Sequence, residues 1–555
     1  MKGTRERIEQ LLAHWAETEL LQDDGSLRPE AVTKGRGLGR ASAWAGLGAA
    51  YLASQRPFAQ EHHGSKALLK FAWRVVKAGC RGIDDRKPGA TESQHFTIAP
   101  LLETYELLRP TASPRDRERF DGRFRGLLEK LAAALEPRFR AQGMNDMALG
   151  TGLNHTLCWA ALLWQGGALF GGGRWKRLAL RWAHRVAESQ DESGYVSENE
   201  GPSVLYDSLT LEALGKLHFR SGDATVGECR KRLARFLIHC VYPNLRSVET
   251  FDERGRGTPF FAQHAAGFLS IPEGRRLLER VVERGWELAR AGMRVNHLVG
   301  PLAMSLIYWQ DTPGRGTSAP LPCERKASVF RAGKKALIRR RAPWFYVLSA
   351  FGNPPPTHNI FFQERTSILS IYHDAVGRIV GGGNDRAPEY AGFVCREANW
   401  IYYCIPRGGV ARAGQRIDLL HLDYGAADLT LTVRILGEKA LLLTAETDLR
   451  ERRDECFLNL QLPLEGVKEV RLATGRAVAL KPQLKLKQHK SGGLLRAGRW
   501  RLEAPEDSLF VWPHHPYHPY PTQPAVRDSV GFLRVPLAPV RTKAEVRISV
   551  TKRGR

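Results

Sequence analysis

The sequence contains no C-x-x-C pair, no glycine-rich phosphate loop opening a helix, no HExxH and no G-x-S-x-G. These absences exclude, in turn, a zinc ribbon or dithiol redox centre, nucleotide binding of the P-loop or Rossmann kind, a zincin protease and an α/β-hydrolase elbow. The eight cysteines (Cys80, Cys158, Cys229, Cys240, Cys323, Cys395, Cys404 and Cys456) are scattered, so a disulfide framework is not expected and they read as small buried hydrophobes. His62-His63 and the His514/His515/His518 group lack a matching carboxylate pattern, so no metal is expected. The opening segment MKGTRERIEQLLAHWAETELL has no apolar core or cleavage site, and no run approaches a transmembrane span. A cytoplasmic chain without a membrane partner is expected, or a periplasmic or secreted one if the N-terminus is incomplete. Carboxylates are also in the minority, 58 against 83 Lys+Arg, for a net charge of +25. Such a field favours polyanionic partners, although a high-GC genome produces the same arginine excess on solvated faces. No helix-turn-helix, RRM or zinc finger accompanies the charge, so nucleic acid is not the expected partner.

At 555 residues the chain is too long for one core. Up to residue 312 the apolar positions recur with helical period, in segments such as 41–54, 64–79, 95–108, 153–170, 174–189 and 205–218, separated by short Gly/Pro/Ser/Asp breaks. Similar lengths and short turns predict antiparallel helical hairpins closed into a ring or stacked as a solenoid. Residues 313–326 form a linker rich in Pro, Gly, Ser and Thr. From 327 to 555 the grammar changes to short β-branched or aromatic runs (WFYVLSAFG, LTLTVRIL, ALLLTAETD, FLNLQLPL, AEVRISVTK), which predict an antiparallel β-sandwich. The expected architecture is therefore a multidomain α-then-β chain.

The residues able to carry chemistry are neutral and polar. Asn154-His155 opens the apolar helix of TGLNHTLCWAALLW, where first-turn N–H groups suit an anion. Tyr206 follows the carboxylate-rich loop ESGYVSENEGPSVLY and starts another helix, a place where it also serves as a hydrophobic staple. His358 follows a triple proline that holds the backbone stiff and extended, at the start of HNIFFQERTSILSIY. Each has an ordinary structural role as its competing explanation: a bonded core histidine, a staple, a loop histidine.

Taken together, the helical domain, the Asn-His helix start, the loop before Tyr206 and the segment HNIFFQERTSILSIY followed by GRIVGGG resemble the heparinase II/III-like polysaccharide lyases. That resemblance implies an (α/α) toroid followed by an antiparallel β-sandwich, and cleavage of a uronic-acid-containing poly- or oligosaccharide by β-elimination. It implies that Asn154 and His155 neutralise the uronate carboxylate, that Tyr206 is general acid and also a candidate base, and that His358 is base or second neutraliser. Substrate contacts are expected from Gln94, His95, Asn145, Trp159, Glu200, His264 and Arg365. Several such lyases hold a structural zinc through a histidine two positions after the catalytic one. Here that position is Ile360, and the following aspartate region reads GGGN, so no zinc is expected. A monomer or homodimer is expected. A glycoside hydrolase with paired carboxylates, or a non-catalytic basic glycan- or nucleic-acid-binding protein, are the alternatives.

Overall fold

The computed structural model of the chain describes residues 2–28, 40–55, 60–84, 95–141, 153–197, 201–250, 265–309, 318–352, 365–385, 387–396, 402–450, 455–481, 485–514 and 530–551. The chain divides into two compact units. The first comprises Met1–Glu198, Tyr206–Ile238 and Phe260–Leu321; the second comprises Asn199–Leu205, His239–Pro259 and Pro322–Arg555. Two segments from within the helical half of the sequence thus belong with the strands.

Among the described residues the helices are α1 (Lys2–Trp15), α2 (Arg40–Ser54), α3 (Lys66–Asp84), α4 (His95–Leu108), α5 (Pro114–Ala141), α6 (Leu153–Phe170), α7 (Gly173–Glu188), α8 (Val204–Ser221), α9 (Ala224–His239), α10 (Ala265–Phe268), α11 (Pro272–Arg290) and α12 (Asn296–Trp309). They fall into two kinds. In α7 only one stripe is buried, Trp175, Leu178, Ala179, Trp182, Ala183 and Val186, at the spacing of a single helix face. In α6 burial runs almost all round, from Asn154 through Gln165–Gly167, and α4 and α12 behave alike. One-sided helices alternate along the chain with helices buried on every side, which is the pattern of an outer ring wrapped on an inner ring. Gly166 of α6 lets α5 approach closely: a Cβ there would stand 2.0 Å from Leu128 Cδ1. This is the (α/α) toroid. No helix among the described residues is long and apolar enough to cross a membrane.

The second unit is an antiparallel β-sandwich in which, among the described residues, the strands form five-, nine- and six-stranded sheets. The five-stranded sheet runs in chain order from Ala327–Ala332 to Gly377–Val380. The nine-stranded sheet is centred on Ala427–Gly437, Ala440–Leu449 and Lys543–Val550, where buried and exposed positions alternate. Their inward faces share one core that includes Leu348, Ile371, Leu429, Leu431, Leu443, Leu458, Leu460, Val546 and Ile548. More strands exist than the apolar runs predict. Ala336–Arg341 (ALIRRR) is one, because Arg340 is neutralised by a two-pronged pair with Asp374 at 2.9 and 2.6 Å.

The segment His239–Pro259 is held in this unit by side chains. Tyr242 is buried and stacks on Tyr372 with ring centroids 5.5 Å apart. Buried Glu249 pairs with Arg378 at 3.0 Å. Gly381, at φ +125°, makes room for that carboxylate, since a Cβ would lie 2.4 Å from Glu249 Oε1. The GGG run therefore accommodates a buried ion pair. His239 stacks on Phe330 at 4.4 Å, and burial, reinforced by Arg325, pushes its imidazole down to about 4. A histidine whose folded value is depressed favours the neutral folded state, so this stability is present above the ordinary histidine value of about 6.5 and is lost as pH falls toward 4. Unfolding by denaturant should show about 2 kcal/mol lost between pH 7 and pH 5 through this residue alone. His239→Gln should flatten that slope, and an unchanged slope would show that the ring titrates normally.

Candidate active site

The geometry follows from how the inner helices run. At one end, His95 Nε2 lies 2.6 Å from His155 Nδ1, first turn against first turn. At the other, Gln165 Nε2 donates to Glu106 Oε2 at 2.7 Å, so α4 and α6 are parallel. Arg220, in the last turn of α8, donates to Glu103 and Glu106 at 2.9 and 2.7 Å, while Leu209 shares a cavity wall with His95, so α8 runs the same way. The hydroxyl of Tyr308, near the end of α12, donates to Glu103 Oε1 at 2.5 Å. Three helices therefore begin at the same end of the ring. Their first turns carry His95 (α4), Asn154 and His155 (α6) and Tyr206 (α8), about 16–21 Å along the helix axes from the Arg220 cluster at 1.5 Å per residue.

Asn154 is 1% exposed and His95 2%, while His155 and Tyr206 are half-buried. The two imidazoles meet edge to face at 67°, with ring centroids 4.8 Å apart. Trp159, one turn further along α6 and 5% exposed, presents its ring at 81° to His95, 5.6 Å away. It packs behind the histidine pair. Below this end lies a cavity of about 30 Å³ lined by Trp44, His95, Phe96, Cys158, Gln165 and Lys216, among others. Lys216 is buried and pairs with Glu212 at 2.8 Å. Burial alone would push its ammonium down, but Glu212 and Glu103 outweigh this and raise it, so it stays charged. The sequence reading missed this polar floor. Its signal is carboxylates and a lysine set into otherwise apolar helices, in LLETYELL and LEALGKLHF.

The loop leading to Tyr206 is braced at several points. Gln190 Nε2 donates to the carbonyls of Gly194 and Cys229 at 2.7 and 3.0 Å, and the Val196 N–H donates to Asp207 Oδ1 at 3.1 Å. Within the sandwich unit, Arg365 is 1% exposed and its Nη2 donates to the Pro202 carbonyl at 3.0 Å. Arg365, expected as a substrate contact, thus holds backbone of the loop through its Nη2. Gln94, Asn145, Glu200, His264 and His358 lie outside the described residues.

For a metal, the residue expected to depart from the zinc pattern, Ile360, is also outside the described residues. The residue after GGGN is Asp385, which makes a buried 2.8 Å pair with His514. Among the described residues this pair is not grouped with a third metal-ligating side chain. Glu17, Glu61 and His62 do approach one another, with both carboxylates exposed.

No protein-family profile matches the sequence, and no curated protein matches it. Solved structures do match over the whole chain. Heparinase III aligns with 100% of this chain and 86% of its own, at 11% identity and a TM-score of 0.56. A chondroitin lyase that is a baculovirus envelope protein, ODV-E66, aligns with 100% of this chain and 83% of its own, at 9% identity and a TM-score of 0.50. Through these likenesses the chain is identified by fold, as an (α/α) toroid followed by an antiparallel β-sandwich of the kind found in heparinase III and chondroitin lyase.

Proposed function

We propose that this chain is a polysaccharide lyase that cleaves a uronic-acid-containing, anionic glycan by β-elimination. The observation that carries the reading is the parallel run of α4, α6 and α8, which delivers Asn154, His155 and Tyr206 to one end of the toroid. The C5 hydrogen of a uronate is weakly acidic because its removal loads a second negative charge onto the carboxylate. The Asn154 amide and an N–H of His155 donate to that carboxylate and stabilise the charge as it develops. Tyr206 serves proton transfer, at C5 as base and at O4 as acid. The C5–H and C4–O4 bonds break, a C4–C5 double bond forms, and the leaving chain departs with its O4 protonated. The step is redox-neutral and consumes no water.

The +25 net charge supports an anionic chain as substrate, and the two structural neighbours are named for heparin and chondroitin. The hydrolase alternative needs two carboxylates facing across a cleft. In the toroid interior Glu212 is instead paired with Lys216, and Glu103 and Glu106 with Arg220. The purified chain should generate the ultraviolet absorbance of unsaturated uronate ends on at least one of heparan sulfate, chondroitin, alginate and glucuronan. New reducing ends without that absorbance would favour hydrolysis, and no cleavage of any polymer would end the lyase reading. His358→Ala in the same assay tests the second candidate base.

A further inference from the structure

The cysteines form no motif in the sequence, yet the strand register sets two of them face to face. Cys395 lies in the strand Phe393–Arg396 and Cys456 in Glu455–Leu462, and the antiparallel ladder pairs them directly. Both are fully buried thiols in one hydrophobic core. We propose that Cys395 and Cys456 are a redox site, a dithiol that peroxide converts to a cross-strand disulfide and so to a reversible staple within the sandwich.

The main-chain bonds decide what kind of pair this is. The Cys456 N–H donates to the Ala538 carbonyl at 2.8 Å, and the Cys456 carbonyl accepts from the Leu537 N–H at 2.8 Å. Both groups therefore point toward the strand Val530–Pro536 and away from Phe393–Arg396. Toward Cys395 the pair is then a non-hydrogen-bonded one, with Cα atoms about 4.5 Å apart and side chains close together on the same face. Disulfides span Cα separations of about 4.4–6.8 Å, so the bond needs rotation of side chains and little movement of backbone. Contacts outside the pair lock the register. Arg396 pairs with Glu455 on the adjacent rung. The Asn459 N–H donates to the Gly392 carbonyl at 2.9 Å, and Asn459 Nδ2 donates to the carbonyls of Glu389 and Ala391 at 3.1 and 2.8 Å. The thiols are thus held opposite before any oxidation, which removes most of the entropy cost of joining them.

On its other side Cys395 is covered by the two-residue strand Tyr402–Tyr403, the end of the six-stranded sheet among the described residues. Opening so short a strand is a local event, and it brings a molecule as small as hydrogen peroxide to Cys395. The Cys395 sulfur takes one peroxide oxygen: the S–O bond forms, the O–O bond breaks, and water leaves with the thiol proton. The Cys456 sulfur then attacks that sulfur. The S–S bond forms, the S–O bond breaks, and a second water leaves with the second proton. The two sulfurs give up two electrons, and the peroxide takes them. The disulfide closes a loop of about 60 residues, which contains Gly408–Arg412, Ile417–Asp423, Ala427–Gly437 and Ala440–Leu449 of the nine-stranded sheet.

The test treats the folded full chain with hydrogen peroxide, blocks the remaining thiols and digests with trypsin without reduction. Peptide 387–396 should appear joined to peptide 454–468, two of the eight thiols should be lost, and dithiothreitol should restore both. The linked protein should melt roughly 5–10 °C above the same sample after dithiothreitol. Cys456→Ala should lose that reversible difference. Cys404→Ala, which packs with Val394 on the other face of the sheet, should keep it. Eight thiols surviving peroxide, or either cysteine joined to a different partner, would overturn the dithiol. A linked pair that melts no higher than the reduced one would overturn the staple. The peptide map uses the wild-type chain, so it decides the pairing even where a variant does not fold.

Discussion

Replacing Tyr206 with phenylalanine is expected to lower turnover by about 10²–10⁴-fold, the range that a positioned proton-transfer group contributes. The substitution removes one oxygen and keeps the ring. Tyr206 is half-buried in the first turn of α8, and Gln190, Asp207 and Arg365 supply bonds that hold its loop. The helix start and the loop should therefore survive. Affinity for the polymer should also survive, because the proposed mechanism assigns recognition of the anion to Asn154, His155 and the basic field. The measurement pairs initial rates of absorbance change with equilibrium binding of the same polymer. Turnover lost with binding retained supports proton transfer by Tyr206. Turnover equal to wild type would remove Tyr206 from the chemistry, and loss of both would assign it to binding.

The largest loss of stability is expected from Arg220→Met. Arg220 donates Nη2 to Glu103 at 2.9 Å, Nη1 and Nη2 to Glu106 at 3.0 and 2.7 Å, and Nε to the Tyr308 hydroxyl at 2.9 Å. Glu103 is 2% exposed and also accepts from Tyr308. Burial would push the Arg220 guanidinium down, but Tyr308, Glu103 and Glu106 hold it well above the ordinary arginine value. Burial, with the Glu103 charge, raises the Tyr308 phenol well above its ordinary value, so it remains a donor. Methionine fills the space of the arginine stem but leaves a buried carboxylate, with Lys216 still a cationic neighbour. Breaking a buried pair by removing one partner costs about 3–5 kcal/mol. Urea unfolding should show that loss, and adding Glu103→Gln in the same chain should recover part of it, because the orphaned charge is then gone. A loss under about 1 kcal/mol would mean that water or local rearrangement solvates Glu103.

Much of the fold was legible because periodicity depends on which face of an element is buried. The stripe in α7 and the all-round apolar run of α6 are both visible in the string, and so are the alternating strands of the nine-stranded sheet. Elements that escaped are those whose burial depends on a distant partner. ALIRRR is a strand because Asp374 neutralises Arg340, and His239–Pro259 joins the sandwich through Glu249–Arg378 and the Tyr242–Tyr372 stack. Hydropathy does not encode such pairings, since a charged residue is coded alike whether its partner is water or a carboxylate far along the chain.

The same division holds at the candidate site. Sequence by itself determined that an amide and an imidazole open one apolar helix and that a tyrosine opens another, because apolar period and turn residues set where helices start. Only the tertiary structure decided that α4, α6 and α8 run parallel, so that those starts share one end. It also decided that His95 Nε2 lies against His155 Nδ1 and that Arg365 Nη2 donates to the Pro202 carbonyl. The physical reason is that helix direction around a ring and the partner of a buried polar atom are settled by contacts between residues dozens to hundreds of positions apart. Local propensity carries no term for those contacts.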